Sequence, residues 1–373
     1  MGIPSGQYDY AGHRHGARGR DDPRQTPPRL RRSAYAGRLI RLLLAFFLLT
    51  GFAQAEPLRI ATFNTELSRK GPGILLRDIL RGDDPSIASV VQTIAAADPD
   101  IIALQGIDYD LERSALNALA DALTAAGAPY PHRFAAPPNA GRQSDVDLNG
   151  DGKLGGPRDA QGYGRFFGQG AMALLSRHPI LTEDLQDFST LIWRDLPGSL
   201  YPMIDGKPFA GAEAHATQRL SSNSHWALPV QLPDGPVTLL TYHATPPVFD
   251  GPEDRNGRRN HDETAFWSHH LAGVIGTPPQ DAFILLGDAN LDPTRGEGRG
   301  DAIARLLAHP TLQDPLPDQS TVDWSQTGPM RVDYILPSRD WQVLDAGLIW
   351  PEGKTPAAMH WSGSTSPADA PLS

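Results

Sequence analysis

Eight short apolar runs recur along the chain, and they constrain the fold more than any other feature of the sequence. Their short length and their β-branched and aromatic content predict strands. Amphipathic patterns between several of them predict helices, one of which stops at Pro99 and another at Gly127. Strand–helix–strand units followed by a hairpin-like pair predict an α/β (α+β) protein with mixed sheets. The runs are 58–63, 100–105, 170–176, 225–232, 237–244, 283–289, 331–338 and 346–350.

The first 55 residues differ in character from the rest. Residues 1–33 are rich in Arg, Gly and Pro without apolar periodicity, which predicts a disordered extension or a start codon placed too early. Residues 34–55 combine two arginines, an apolar stretch and a small-residue cleavage site, which predicts a signal peptide cleaved after Ala55. A membrane anchor is the alternative, although the apolar stretch is short for a bilayer core of about 30 Å. We therefore expect a periplasmic or secreted protein.

Residues 56–373 contain no obvious linker and are predicted to form one domain. The whole chain has a formal net charge of −10, and residues 1–55 hold nine basic and three acidic residues, so their removal leaves −16. A strongly acidic protein repels polyanions, which disfavours a broad nucleic-acid-binding surface but not a local basic groove. We expect a monomer without a stable membrane span.

Polar side chains stand where several of the predicted strands end. One such residue usually begins a turn or packs in the core, but loops at strand ends can display a whole site. An ordered series of them therefore predicts a functional site at one end of the sheets. The series is Asn64, Glu66, His243, Asp288, Asn290, Asp333 and His360.

This series resembles the endonuclease/exonuclease/phosphatase family, the metal-dependent phosphoesterases related to deoxyribonuclease I. The resemblance covers residues 58 to about 361 and is most specific at "GDAN" (287–290) and "RVDYIL" (331–336), with support from "LLSRHPI" (174–180). It implies a four-layer sandwich of two packed mixed β-sheets flanked by helices. It also implies a divalent-metal-dependent phosphodiesterase or nuclease.

The resemblance assigns metal-binding roles to several of these residues. A hard cation such as Mg²⁺ or Mn²⁺ neutralises a phosphodiester and polarises its phosphoryl group. By resemblance, Glu66 and an acid on the second strand hold the metal, assisted by Asp288 and Asn290. Asn64 and Asn290 would also orient the phosphate and the metal-bound oxygens.

The resemblance also assigns the proton transfers. Asp288 would align or deprotonate the attacking water, and His360 would act in acid–base chemistry. Asp333 would fix the tautomer of His360 through a hydrogen bond. His243 corresponds to a histidine that contacts phosphate in the nuclease branch of the family.

One departure from the family pattern lies on the second strand. Family members place a metal-binding Glu where this chain has Gly106. Side chains two apart on a strand share a face, so Asp108 is the candidate replacement. The alternative is that Asp108 is a solvated turn residue.

The second departure lies at the C-terminal end. Met359 precedes His360 where the family has Asp, and residues 361–373 lack a strand pattern. We therefore expect an irregular tail, a truncated or frameshifted end and an exposed sheet edge. A catalytically impaired, calcium-stabilised binding protein on the same scaffold is consequently an alternative function.

Residues 145–156 predict a structural Ca²⁺ site. Asp147, Asn149 and Asp151 take positions one, three and five of a calcium loop, and Lys153 offers its carbonyl at position seven. Asp145 is a candidate to compensate for the acid missing at position twelve. An Asp- and Gly-rich loop that binds nothing is the alternative.

Three arginines, Arg165, Arg255 and Arg259, predict a substrate rim, because guanidinium groups suit phosphate capture. The substrate would be a nucleic acid, a phospholipid or a small phosphodiester. A phosphomonoesterase or phospholipid-headgroup hydrolase is the alternative activity, which the acidic surface favours.

Overall fold

The computed structural model describes residues 57–350 and the backbone of residues 359–365. The predicted extension and signal peptide lie outside the described residues. The strands are β1 (Leu58–Asn64), β2 (Ile101–Ile107), β3 (His132–Phe134), β4 (Ala171–Ser176), β5 (Gln186–Asp187), β6 (Met203–Ile204), β7 (Lys207–Pro208), β8 (His225–Leu232), β9 (Gly235–His243), β10 (Phe283–Asp288), β11 (Val322–Trp324), β12 (Gly328–Met330), β13 (Asp333–Pro337), β14 (Gln342–Ile349) and β15 (Met359–Thr365).

Helices account for most of the remaining regular structure. No helix among the described residues is long and apolar enough to cross a membrane. The α-helices are α1 (Ile74–Arg81), α2 (Pro85–Ala97), α3 (Ser114–Ala125), α4 (Gly211–Thr217), α5 (Arg255–Leu271) and α6 (Asp301–Leu307).

The sequence itself sets the bounds of α2. Asp84 accepts hydrogen bonds from the backbone N–H groups of Ser86 and Ile87, and a proline occupies the first helical position. The helix ends at Ala97, before Asp98 in a left-handed conformation and a second proline. Local capping and proline chemistry therefore make this helix predictable from the sequence.

Two large sheets form the centre of the protein. One has the strand order β14-β15-β1-β2-β4-β3, and the other has the order β13-β10-β9-β8-β5. The strands pair in parallel between β1 and β2 and between β9 and β10, whereas their other neighbours are antiparallel. Both sheets are therefore mixed, as the sequence predicts.

Apolar side chains join the layers. Ile60, Trp226 and Leu286 belong to the cluster between the two sheets. The outer face of the first sheet packs against α1–α3, and that of the second sheet packs against α5 and α6. This arrangement confirms the predicted four-layer sandwich, and burial of apolar surface at about 25 cal/mol per Å² stabilises it.

Strand β15 contradicts the predicted irregular tail. Residues 361–365 belong to β15, which pairs antiparallel with β1 on one side and with β14 on the other. The sequence "WSGST" lacks strand periodicity, but two neighbouring strands satisfy its backbone groups, and this tertiary pairing overrides weak local propensity. The expected exposed edge is also wrong, because β1 lies inside the sheet. Residues 366–373 lie outside the described part.

Candidate active site

Three neighbouring strands of the second sheet bring polar side chains to one position. Asp288, at the end of β10, pairs with His243 on β9 and with Asp333 on β13. The apolar residues that precede Asp288 on β10 are buried, and Asp288 and Asp333 are only 3% and 1% exposed. Strand register therefore places three of the predicted residues side by side.

Asp288 is held from both sheets. The Asn64 side chain, at the end of β1, donates its Nδ2–H to Asp288 Oδ2 at 2.8 Å. The backbone N–H of Asn290 donates to Asp288 Oδ1 at 2.8 Å, and the Asn290 side chain donates to the Ala244 carbonyl at 3.0 Å. Both carboxylate oxygens thus have a donor, which fixes the orientation of Asp288.

The site concentrates negative charge. Burial raises the pKa of Asp333 well above its ordinary value, and the charges of Asp288 and Glu66 raise it further. Desolvation raises the pKa of Glu66, and the charge of Asp288 adds to this shift, although the residue is exposed. Asp333 Oδ1 is buried without a hydrogen-bond partner in the described part of the chain. These carboxylates favour a cation or shared protons.

His243 is held in its neutral form. Burial lowers its pKa, and the charge of Asp288 opposes this shift only in part. Its Nε2 lies 3.6 Å from Asp288 Oδ2, longer than a hydrogen bond, and its Nδ1 lies 3.5 Å from Asn223 Nδ2. An amide donor facing Nδ1 favours the tautomer that carries its proton on Nε2.

A cavity of about 260 Å³ opens beside His243. Asn223 lines it, donates its Nδ2–H to the Gly170 carbonyl at 2.8 Å, and has a buried Oδ1 without a partner among the described residues. Sequence reasoning missed Asn223. Only the position of Asn223 just before β8 could have singled it out.

Glu263 on α5 is a second residue that the sequence did not reveal. Its buried carboxylate accepts the backbone N–H of Ser222 at 2.5 Å and that of Thr245 at 2.7 Å. Both residues line the cavity beside His243. Burial raises the pKa of Glu263, which Arg259 lowers in part. Glu263 is therefore a positioning residue, and its place in an amphipathic helix gave no signal of this role.

Gly106 lies directly against the site. It has a φ of +72° beside a register irregularity between β2 and β4. A Cβ at this position would lie 2.5 Å from Asn64 Oδ1 and 2.9 Å from the backbone nitrogen of Glu66. The glycine is therefore required by this backbone, and a larger side chain here would displace Asn64 or Glu66.

Asp108 joins two loops. Its Oδ2 accepts the backbone N–H of Arg69 at 2.9 Å, and its Oδ1 accepts that of Gly170 at 3.0 Å. The residue is 6% exposed, so the alternative of a solvated turn residue is wrong. Its predicted role as a metal ligand stays a prediction, since both of its oxygens already accept backbone N–H groups.

His360 lies on β15, where its backbone pairs with Thr62 of β1, two residues before Asn64. Strand β15 therefore places the His360 backbone beside β1, the strand that ends at Asn64. The side chain lies outside the described part, so its predicted hydrogen bond with Asp333 stays a prediction.

The predicted calcium loop is closed by its own backbone. Asp147 accepts N–H groups from residues 150–152, and Asp151 accepts the backbone N–H of Lys153 and the side-chain amide of Asn149. These bonds stabilise a tight loop and leave Ca²⁺ binding a prediction.

The three predicted rim arginines lie in different environments. Arg165 is exposed. Arg259 is buried, and its guanidinium donates to the carbonyls of residues 161 and 219–221, which gives it a structural role. Burial lowers the pKa of Arg259 to about 10. Arg255 lines a second, larger cavity, whose lining also includes Arg259.

Metal binding by acidic and histidine side chains alone lacks support in this geometry. Within residues 57–350, no three His, Asp or Glu side chains form a group that could hold a metal ion. Glu66 and Asp288 interact through their charges, and the side chains of Asn64 and Asn290 lie at the same strand ends. A cation here would therefore need amide oxygens in addition to carboxylates.

Comparisons with known proteins agree with this fold. The sequence model of the Endonuclease/Exonuclease/phosphatase family matches residues 61–364. No curated protein matches the chain significantly. A solved endonuclease/exonuclease/phosphatase from Beutenbergia cavernae DSM 12333 is 16% identical over 83% of this chain and 72% of its own, with a TM-score of 0.51.

Two other solved structures are similar at lower TM-scores. A family protein from Leptotrichia buccalis C-1013-b is 16% identical over 82% of this chain and 99% of its own, with a TM-score of 0.47. Sphingomyelinase C from Streptomyces griseocarneus is 18% identical over 83% and 100%, with a TM-score of 0.45. The family match spans most of the chain and includes His243, Asp288 and Asp333. This chain therefore belongs to the endonuclease/exonuclease/phosphatase family of phosphoester hydrolases.

Proposed function

We propose that this protein is an exported, divalent-metal-dependent phosphodiesterase with nuclease activity. The observation that carries the proposal is the arrangement around Asp288. Asn64 from the opposite sheet orients this carboxylate, and His243 and Asp333 flank it in register. An oriented carboxylate beside a neutral histidine in a cavity suits hydrolysis of a phosphoester.

The donor set fits a hard divalent cation. Asp333 Oδ1 lacks a partner, and no Lys or Arg forms an ion pair with Glu66, Asp288 or Asp333 within residues 57–350. Glu66 and Asp288 would hold Mg²⁺ or Mn²⁺, with an amide oxygen of Asn290. When bound, such a cation neutralises the phosphodiester and polarises its phosphorus–oxygen bonds.

The residues of the chain supply orientation and proton transfer. Asp288 has both oxygens anchored, so a further lone pair can accept a proton from an attacking water. Neutral His243 donates from Nε2 to a phosphate oxygen, and Asn223 offers its amide in the same cavity. His360 remains the proposed acid for the leaving group.

Export is part of this proposal. Its support is the basic, apolar and small-residue pattern of residues 38–55. A fusion of residues 1–60 to a reporter should be translocated and cleaved after Ala55. Retention of an uncleaved reporter in the membrane would favour an anchor instead.

The main competing function is a catalytically impaired binding protein. Gly106 favours it, because this backbone cannot accommodate the carboxylate that family members carry at this position. Strand β15 removes the argument from an irregular C-terminus, since the sheet does not lack its last strand. Met359, which stands where the resemblance implies Asp, still favours the impaired alternative.

An activity assay separates these functions. Purified protein should hydrolyse bis-p-nitrophenyl phosphate and plasmid DNA with Mg²⁺ or Mn²⁺ and lose activity with a chelator. A phosphomonoesterase would prefer p-nitrophenyl phosphate, and a headgroup hydrolase would prefer phospholipid vesicles. No turnover of any of these substrates by well-folded protein would support the impaired alternative.

A further inference from the structure

A second cavity adjoins the one beside His243. It has a volume of about 530 Å³ and shares Tyr163, Thr245 and Pro246 with the smaller cavity. Shared walls make the two cavities parts of one cleft. A substrate whose reacting phosphate lies beside His243 would therefore extend into the larger cavity.

Arg255 gives this cavity a positive charge without a direct ion pair. Its Nη2 donates to Gln218 Oε1 at 2.7 Å, but no carboxylate in residues 57–350 forms an ion pair with it within 4.0 Å. Burial lowers the pKa of Arg255, and the charges of Tyr201 and of nearby carboxylates, Glu253 first among them, oppose this shift in part. A buried cation costs free energy unless an anion pairs with it.

Two carboxylates that line the cavity are already engaged. Asp250 accepts the backbone N–H of Asn256 at 2.5 Å, and Glu253 accepts that of Gly251 at 3.2 Å. Neither forms an ion pair with Arg255. Arg158, which is exposed, adds a second cation to the lining. The cavity can therefore receive an anion, and these cations would repel a choline group.

Aromatic side chains stand exposed around the same cavity. Tyr163 is 60% exposed and Phe249 is 79% exposed, and both belong to its lining. Nucleobases stack on exposed aromatic faces whatever their sequence, because every base has a π-face. A cavity with free guanidinium groups and free aromatic faces fits a phosphate and a base together.

We propose that the larger cavity binds the phosphate and base of the nucleotide next to the scissile phosphodiester. Arg255 and Arg158 hold the phosphate, and Tyr163 and Phe249 stack on the base. The substrate is then a nucleic acid strand of at least two nucleotides and not a lipid. This inference rests on the proposed phosphodiesterase function.

Binding of small ligands tests the subsite without turnover. Calorimetry with Mg²⁺ present should show that thymidine 3′,5′-bisphosphate binds about tenfold to a hundredfold more tightly than thymidine 5′-monophosphate, because the second phosphate gains charge-assisted hydrogen bonds. Arg255→Met and Arg158→Met should each reduce this preference. Arg81→Met, which removes an exposed charge on α1, should retain it.

Several results would overturn the subsite. Equal affinity for the two thymidine ligands would do so, as would a preference for the bisphosphate that survives in both cavity variants. An equal loss of this preference in Arg81→Met, or tighter binding of phosphocholine than of the bisphosphate, would also overturn it. Arg158 is exposed, so its replacement tests the site even if Arg255→Met melts early.

Hydrolysis of bis-p-nitrophenyl phosphate by the wild type separates the two proposals. Hydrolysis without a preference for the bisphosphate defeats the subsite alone. A preference without hydrolysis defeats the proposed activity and leaves a nucleotide-binding cleft.

Discussion

The ends of the two sheets contribute to the site in opposite ways. At the end of the second sheet, three adjacent strands each present a polar side chain, His243, Asp288 and Asp333. At the end of the first sheet, β1 presents Asn64, but β2 presents Gly106, whose backbone packs against Asn64 and Glu66. The second sheet thus concentrates the reactive groups, whereas the β2 end of the first sheet serves as a close-packed support.

This contrast shows that a strand end without a side chain can still support its neighbours. At Gly106, the Asn64 side chain and the Glu66 backbone occupy the space that a side chain would need. Asp108, two residues further on, ties the loops at residues 69 and 170 together. Asp108 and Gly106 therefore both contribute to the packing of the loops and side chains around the end of β2.

Asp288→Asn should have the largest effect, because Asp288 lies between His243 and Asp333 at the end of the second sheet. We expect bis-p-nitrophenyl phosphate hydrolysis to fall by about 10²–10⁴-fold, as for loss of a general base. The measurement is the steady-state rate with Mg²⁺ or Mn²⁺. Asp281→Asn replaces an exposed acid just before the same strand and should retain full activity. Equal rates for Asp288→Asn and the wild type would remove this group from the mechanism.

Gly106→Ala tests the close-packed support. The added Cβ would meet Asn64 and Glu66 at a positive φ, so we expect the free energy of unfolding to fall by about 2–4 kcal/mol. Urea denaturation measures the change. Gly127→Ala is the matched control, since Gly127 also has a positive φ of +90° but nothing within 4 Å. Similar losses of unfolding free energy in both variants would show that the positive φ alone, and not contact with Asn64 and Glu66, accounts for the effect of Gly106→Ala.

Asp108→Asn distinguishes a structural role from a metal-binding role. The amide NH₂ group introduced by this substitution would face one of the two backbone N–H groups that Asp108 accepts, and two donors cannot pair. We therefore expect a loss of about 1–3 kcal/mol in unfolding free energy. If the role is structural, activity per folded molecule should fall less than about tenfold. Asp110→Asn is the control, because Asp110 also accepts two backbone N–H groups. A far larger loss of activity in Asp108→Asn would restore the predicted metal ligand.

Asp333→Asn should give the smallest effect, a pH-dependent gain in stability. The raised pKa of Asp333 means that the folded state binds its proton more tightly than the unfolded state. This contribution to stability is present below the unfolded pKa of about 3.9 and is lost as pH rises. The variant should therefore exceed the wild type by about 1 kcal/mol or more at pH 7, with little difference at pH 3.

Thermal melting between pH 3 and pH 8, without added metal, measures this difference. Asp323→Asn, at an exposed position on β11, should show no such trend. A difference between Asp333→Asn and the wild type that does not vary with pH would mean that the site charges are not coupled as described.

Much of the site was predictable because its residues directly follow strong strand patterns. The apolar run before Asp288 and the run that contains Asp333 fix both the strands and the positions of these acids. Asn223 and Glu263 were not predictable in this way. Asn223 acts from an irregular loop, and Glu263 acts across space from a helix to two loops.

The four-layer sandwich followed from the resemblance to a known family. The sequence by itself determined the pattern of short strands, the bounds of α2 and the series of polar residues at strand ends. These depend on local periodicity and capping, which are written in consecutive residues. Only the tertiary structure decided that residues 361–365 form a strand, that Gly106 excludes a side chain, and that Asp108 bonds to two loops. Each of these outcomes depends on backbone groups distant in the chain, whose hydrogen bonds and close contacts no local pattern encodes.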